Sequence, residues 1–132
     1  MTRGAALGDL FERLEIDPAS FGHREHLQAA YELLLKYPFV EATARYADTI
    51  HAMARAAGAA EKFNVTITLA FISLLAERME TSTAPGFDTF LDENPDLSKN
   101  TLQNWYSPER LSSELSRRIF LLPDRVAPAT GG

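Results

Sequence analysis

Residues 64–79 read NVTITLAFISLLAERM, and the fold turns on how that stretch is read. Its opening, Val65, Thr66, Ile67 and Thr68, is rich in β-branched residues, which favour a strand. Its length and its nearly unbroken apolar character favour a buried helix. A lone strand among helical neighbours would leave its backbone groups without partners, and the flanking segments carry the helical period. The stretch is therefore read as a helix over residues 64–81. It is apolar almost all round and hence central, and Asn64 stands at the N-cap position.

Working outward, residues 40–57 form the preceding helix, with Val40, Ala44, Ala47, Ile50, His51 and Ala54 sharing a face that packs on a neighbour. Gly58 follows at the position that favours a left-handed residue. Before it, residues 23–36 place Leu27, Ala30, Tyr31 and Leu34 on one face, and Pro38 ends this helix by excluding the helical region for its predecessor. Leu7, Leu10, Phe11 and Leu14 make an i, i+3, i+4, i+7 stripe over residues 7–14. After the linker TSTAPG, short helical pieces are expected over 87–93 and 101–106. Ser107-Pro108-Glu109 then starts a final helix, a capping residue followed by proline at the first helical position, which carries Leu111, Leu115, Ile119 and Phe120. The expected fold is an all-α single domain, residues 1–132: a bundle of about four longer helices under a lid of short C-terminal helices, with 126–132 a flexible tail.

Composition narrows the function classes. The 132 residues are 45% hydrophobic, which suits one core, and carry a net charge of −5 with a pI near 5.1. Thirteen scattered basic residues against eighteen acidic ones do not make the clustered positive surface that nucleic acid requires. The absence of cysteine excludes disulfides, thiolate ligands and Cys nucleophiles, and fits a cytoplasmic location. The N-terminal stretch is interrupted by Asp9 and makes a poor signal peptide. No apolar run reaches the roughly 18 residues of a membrane span.

The candidate chemistry lies in FGHREHLQAAYELLLKY, residues 21–37. His23 and His26 are three apart in the first turn of a helix, so they are neighbours on one face. Leu27, Ala30 and Leu34 carry that face inward, while Glu25 points away from it. Two such imidazoles can share a divalent metal ion, act as an acid/base pair or hold an anion. They can also simply cap the helix or sit satisfied in the core. A catalytic zinc site takes three protein ligands, so a metal at His23 and His26 needs another from His51, Asp, Glu or Asn. Thr68, one turn after Asn64, adds a second polar group to the start of the central helix. If the N-terminal ends of the two helices lie together, His23, His26, Asn64 and Thr68 line one polar pocket. Trp105 and Tyr106, just before the Ser-Pro cap, are either packing residues or further ligand contacts. There is no Gly-rich phosphate loop, serine elbow or H-E-x-x-H.

The pattern F-x-H-x-x-H-L-x-x-A-x-x-x-L at Phe21 to Leu34 resembles that of a family of small bacterial all-helical proteins. The resemblance continues through Lys62 to Ala70, through Phe87 to Leu97, and through Trp105-Tyr106-Ser107-Pro108-Glu109-Arg110-Leu111 to Phe120 and Pro123-Asp124. It implies an all-helical fold and brings no assigned activity. The family pattern before Thr-Ile-Thr reads Lys-Tyr-His-Glu, whereas this chain has Lys62, Phe63, Asn64 and Val65. If the family joins that His and Glu to the helix-two histidines in a metal site, this chain lacks two of the ligands, since Asn is a poor ligand for Zn²⁺ or Fe²⁺ and Val is none. The expectation is thus a small-molecule-binding or regulatory module with a polar pocket. The alternatives are an enzyme using His23 and His26 and a structural homodimer joined through its short C-terminal helices.

Overall fold

The computed structural model describes residues 7–17 and 20–125; the expected flexible tail, 126–132, lies outside them. Among the described residues there is no strand, and seven α-helices follow one another: α1 Leu7–Glu12, α2 His23–Lys36, α3 Phe39–Ala56, α4 Val65–Glu80, α5 Phe87–Glu93, α6 Pro108–Leu111 and α7 Glu114–Arg118. Two 3-10 segments, Ala60–Lys62 and Lys99–Asn104, complete the set. The fold is all-α, with short C-terminal helices laid over the longer ones. The β-branched opening of α4 is helical because both its neighbours and its cap make it so: Asn64 Oδ1 accepts from the Ile67 N–H at 2.8 Å.

The core is shared between α2 and α4. From α2 come Leu27, Ala29, Ala30, Tyr31 and Leu33, and from α4 Phe71, Ile72, Leu74 and Leu75. α4 touches α2, α3, α7 and the second 3-10 segment, the central place its composition demands. Phe11 and Phe90, both fully buried, bring α1 and α5 onto this core. Phe11 stacks on Phe21 and Tyr46, with ring centroids 5.5 and 5.7 Å away. Burying one such ring stabilises by about 1.5–3 kcal/mol.

Polar contacts fix the shorter pieces. The Gly8 N–H donates to Glu32 Oε1 at 2.6 Å. A Cβ on Gly8 would lie 3.0 Å from that oxygen, so glycine permits the close approach of α1 to α2. Glu12 accepts from Tyr37 and from Arg45. Arg78 grips Asp96 with both Nη atoms, at 3.0 and 2.8 Å, and so holds the turn after α5 against α4. Arg24 pairs with Asp88 to draw α5 toward α2.

Three expectations change. On α3 the buried stripe is Ala42, Tyr46 and Thr49, while Val40 is 78% exposed and Ala44 faces solvent. The helix is rotated because a tyrosine ring removes far more apolar area from water than an alanine methyl does. α1 stops at Glu12, and Leu14 is exposed in the left-handed region at φ 57°. The expected final helix is two, because Ser113 interrupts it. Its Oγ donates to Arg110 O, ending α6, and accepts from the Ser116 N–H, starting α7. Leu111 is buried, but Leu115, Ile119 and Phe120 remain exposed. Gly58 behaves as expected: at φ 71° it closes α3, with its own N–H bonded to Arg55 O and the Ala59 N–H to Ala54 O.

Candidate functional site

The N-terminal turns of α2 and α4 open onto one cavity of about 530 Å³. α2 contributes His23 and His26; α4 contributes Ile67, Thr68 and Phe71, preceded by its cap Asn64. α3 closes one side with Tyr46 and Ile50, the first 3-10 segment adds Lys62 and Phe63 at its end, and Ser98 and Asn100 complete the wall. The four polar residues singled out together in the sequence therefore border a common space. Trp105 and Tyr106 do not line it. Tyr106 is buried and donates its hydroxyl to Leu121 O at 2.9 Å, while Trp105 packs against the core. Their work is in the C-terminal lid.

The polar groups at the cavity divide into those already engaged and those left free. Asn64 is engaged throughout. Besides capping α4, its Oδ1 accepts from Ser116 Oγ at 3.0 Å and its Nδ2 donates to Leu111 O at 2.7 Å. One amide thus ties α4 to both α6 and α7, and little of it remains for a ligand. Thr68 donates its hydroxyl to Asn64 O at 2.7 Å, which leaves the oxygen lone pairs. His23 places Nε2 3.1 Å from Leu97 O. A carbonyl only accepts, so Nε2 carries the proton, and in the neutral ring Nδ1 is the acceptor.

His26 and Tyr46 are free. The His26 ring lies on Phe21 with centroids 4.5 Å apart, and its imidazole has no hydrogen-bond partner among the described residues. Burial, reinforced by the neighbouring His23 and partly offset by Glu25, lowers its pKa below the ordinary 6.5. His26 is thus a neutral imidazole at pH 7. Tyr46 is only 3% exposed, and its hydroxyl likewise has no partner among the described residues. Burial raises its pKa well above the usual 10, so it stays protonated, a donor awaiting an acceptor.

Lys62 is the one Lys or Arg among the described residues lining the cavity, and no Asp or Glu lines it. Phe63 is braced from behind by His51, stacked on it with centroids 4.4 Å apart and rings 15° from parallel. His51 is thereby committed to packing and lies outside the cavity lining. Among the described residues no three His, Asp or Glu side chains converge to hold a metal ion. The sequence reading missed Tyr46 and Lys62. A tyrosine in the buried stripe of an alanine-rich helix, rather than an alanine face, was the available signal for the first.

No helix among the described residues is long and apolar enough to cross a membrane. Comparison of the chain with protein-family models, with curated proteins and with solved structures finds no match.

Proposed function

We propose that this chain is a small-molecule-binding or regulatory module whose ligand occupies the cavity between the first turns of α2 and α4. The observation that carries the reading is a cavity of ligand size bordered by Tyr46, whose hydroxyl has no protein partner among the described residues. The unbonded neutral His26 beside the same space supports it. Rigid walls favour binding: Phe63 and Phe71 offer aromatic surface, and the α4 turn is locked by Asn64. The lack of cysteine fits a cytoplasmic protein.

The test is a ligand screen followed by amide chemical shifts. A true ligand moves the resonances of His26, Tyr46, Ile67 and Phe71 together, and His26→Ala together with Tyr46→Phe weakens it at least tenfold, about 1.4 kcal/mol. Unchanged affinity in the double variant would refute the cavity as the binding site.

Two observations keep alternatives in view. A neutral, unbonded imidazole facing a cavity is also a general base, and turnover of a bound compound, lost in His26→Gln, would make the protein an enzyme. Leu115, Ile119, Phe120 and Leu122 are exposed close together in sequence, as a homodimer joined through the C-terminal segment would need. Light scattering that returns only the monomer mass at high concentration would exclude that assembly.

A further inference from the structure

The charges at the cavity are unbalanced. Lys62 only donates, the Tyr46 hydroxyl keeps a proton to donate, and the Asn100 side-chain amide, which can donate or accept, has no partner among the described residues. The first turns of α2 and α4 add the positive ends of two helix dipoles, from helices of 14 and 16 residues. Against this positive potential no carboxylate lines the space. Glu25, one residue before His26, is folded back to accept from the Gly22 N–H at 2.8 Å. A cationic ligand would therefore meet Lys62 with no counter-charge. A phosphate dianion would want more than one cation or a glycine-rich nest of backbone N–H groups, and no glycine lines this cavity. The apolar part of the wall, Ile50, Phe63, Ile67 and Phe71, calls for a hydrocarbon or aromatic body.

Resting on the binding reading above, we propose that the ligand is a compact organic monocarboxylate. Its body lies on Phe63, Ile67 and Phe71, its carboxylate among the donors of Tyr46, His26 and Lys62, and its binding carries one proton onto His26. The proton follows from electrostatics. In the free protein His26 is neutral, held so by burial and by His23. A carboxylate brought into the same low-dielectric space favours the imidazolium, which in turn strengthens the carboxylate's binding. The other ionisable groups facing His26 do not supply this response near pH 7. Tyr46 on α3 is held protonated by burial, the α4 wall (Asn64, Ile67, Thr68, Phe71) has no ionisable group, Lys62 is the cation at the cavity mouth, and the Glu25 side chain accepts from the Gly22 N–H. His23, on the same turn, is the one competitor and is controlled by His23→Gln.

Titration calorimetry with the whole chain tests this, using phenylacetate and hexanoate as probes, phenylacetamide as the neutral isostere and phenethylamine as the cationic one. Measurements at pH 7 in PIPES and in Tris, whose ionisation enthalpies differ, read the proton directly. The expected result is carboxylate binding at least tenfold tighter than the amide, no amine binding, net proton uptake, and affinity that rises as pH falls from 8 to 6. His26→Gln should abolish the uptake while His23→Gln keeps it, and Lys62→Met should weaken carboxylates about two- to fivefold, as for an exposed charge contact, without touching the amide. An amide that binds as tightly as the acid, with shifts at Phe71, overturns the carboxylate assignment but leaves the binding module standing. Uptake that survives His26→Gln overturns the proton's destination. If no probe of any charge disturbs the cavity resonances, the carboxylate proposal fails, and the binding reading then stands or falls on the wider screen and the Tyr46 and His26 double variant.

Discussion

Replacing Asn64 by alanine should damage the protein more than any other single polar truncation at the cavity. The amide makes three bonds: it caps α4 at Ile67, it accepts from Ser116 Oγ, and it donates to Leu111 O. Loss of an N-cap costs about 1 kcal/mol. Ser116 is fully buried, so its hydroxyl, deprived of its acceptor, adds about 1–2 kcal/mol, and the half-buried Leu111 carbonyl a similar amount. The sum, roughly 3–5 kcal/mol, is a large fraction of the 5–15 kcal/mol typical of a domain. The melting temperature should then fall by roughly 10–25 °C, from a slope of about 3–5 °C per kcal/mol at this chain length. Urea unfolding followed by the fluorescence of the single tryptophan, Trp105, reads the change, since that residue packs beside the lid the amide holds. Ser116→Ala alone should cost about 1 kcal/mol, and in the double variant the two losses should fall short of additive by about 1 kcal/mol or more. A loss below about 1 kcal/mol in Asn64→Ala, or strict additivity with Ser116→Ala, would refute the view that this amide joins α4 to α6 and α7.

Three further perturbations follow from the same geometry. Thr66→Val removes a fully buried hydroxyl that donates to Ile119 O and accepts from the Leu121 N–H; it should cost about 2–4 kcal/mol and speed amide exchange at Leu121 well before exchange in α2. His26 titrates below its unfolded value near 6.5, so as pH falls from 6.5 toward its folded pKa the unfolded chain gains a proton the folded one refuses. Stability therefore drops over that interval and is fully present above it, and His26→Gln should flatten the slope in thermal melts between pH 5 and 7.5. Gly58→Ala meets no steric obstacle, as nothing lies within 4 Å of the added Cβ, but φ 71° should still cost about 1 kcal/mol in urea unfolding.

The parts of the fold visible in the sequence are those encoded locally. The Leu27, Ala30, Tyr31 stripe of α2, the Gly58 terminator and the Asn64 and Ser107 caps each depend on residues within a turn or two of one another. The α3 face was misread because its alanines weigh little in either direction, and the deciding contact, Tyr46 on Phe11, comes from 35 residues away. The division of α6 from α7 was local, in Ser112-Ser113, but a helical period running across it concealed the break. At the cavity, the shared border of His23, His26, Asn64 and Thr68 could be anticipated from two helix starts at one end. That Asn64 is consumed by structure could not, since nothing near it announces Ser116, 52 positions on. Whether Trp105 and Tyr106 pack or contact a ligand stays open in the sequence for the same reason: Leu121, which takes the tyrosine's hydroxyl, gives no local sign of that bond.

The bonds from Thr66 to Ile119 and Leu121 span 53 and 55 positions. During synthesis, α4 leaves the ribosome with a Thr66 hydroxyl that has no folded partner until more than fifty further residues have been added. The nascent protein must therefore wait with an open seam along its middle helix, and the seam closes only when residue 121 arrives. Loop closure over such separations is slow relative to helix formation. A ribosome stalled shortly before that point should hold a chain rich in helix yet readily cut by protease.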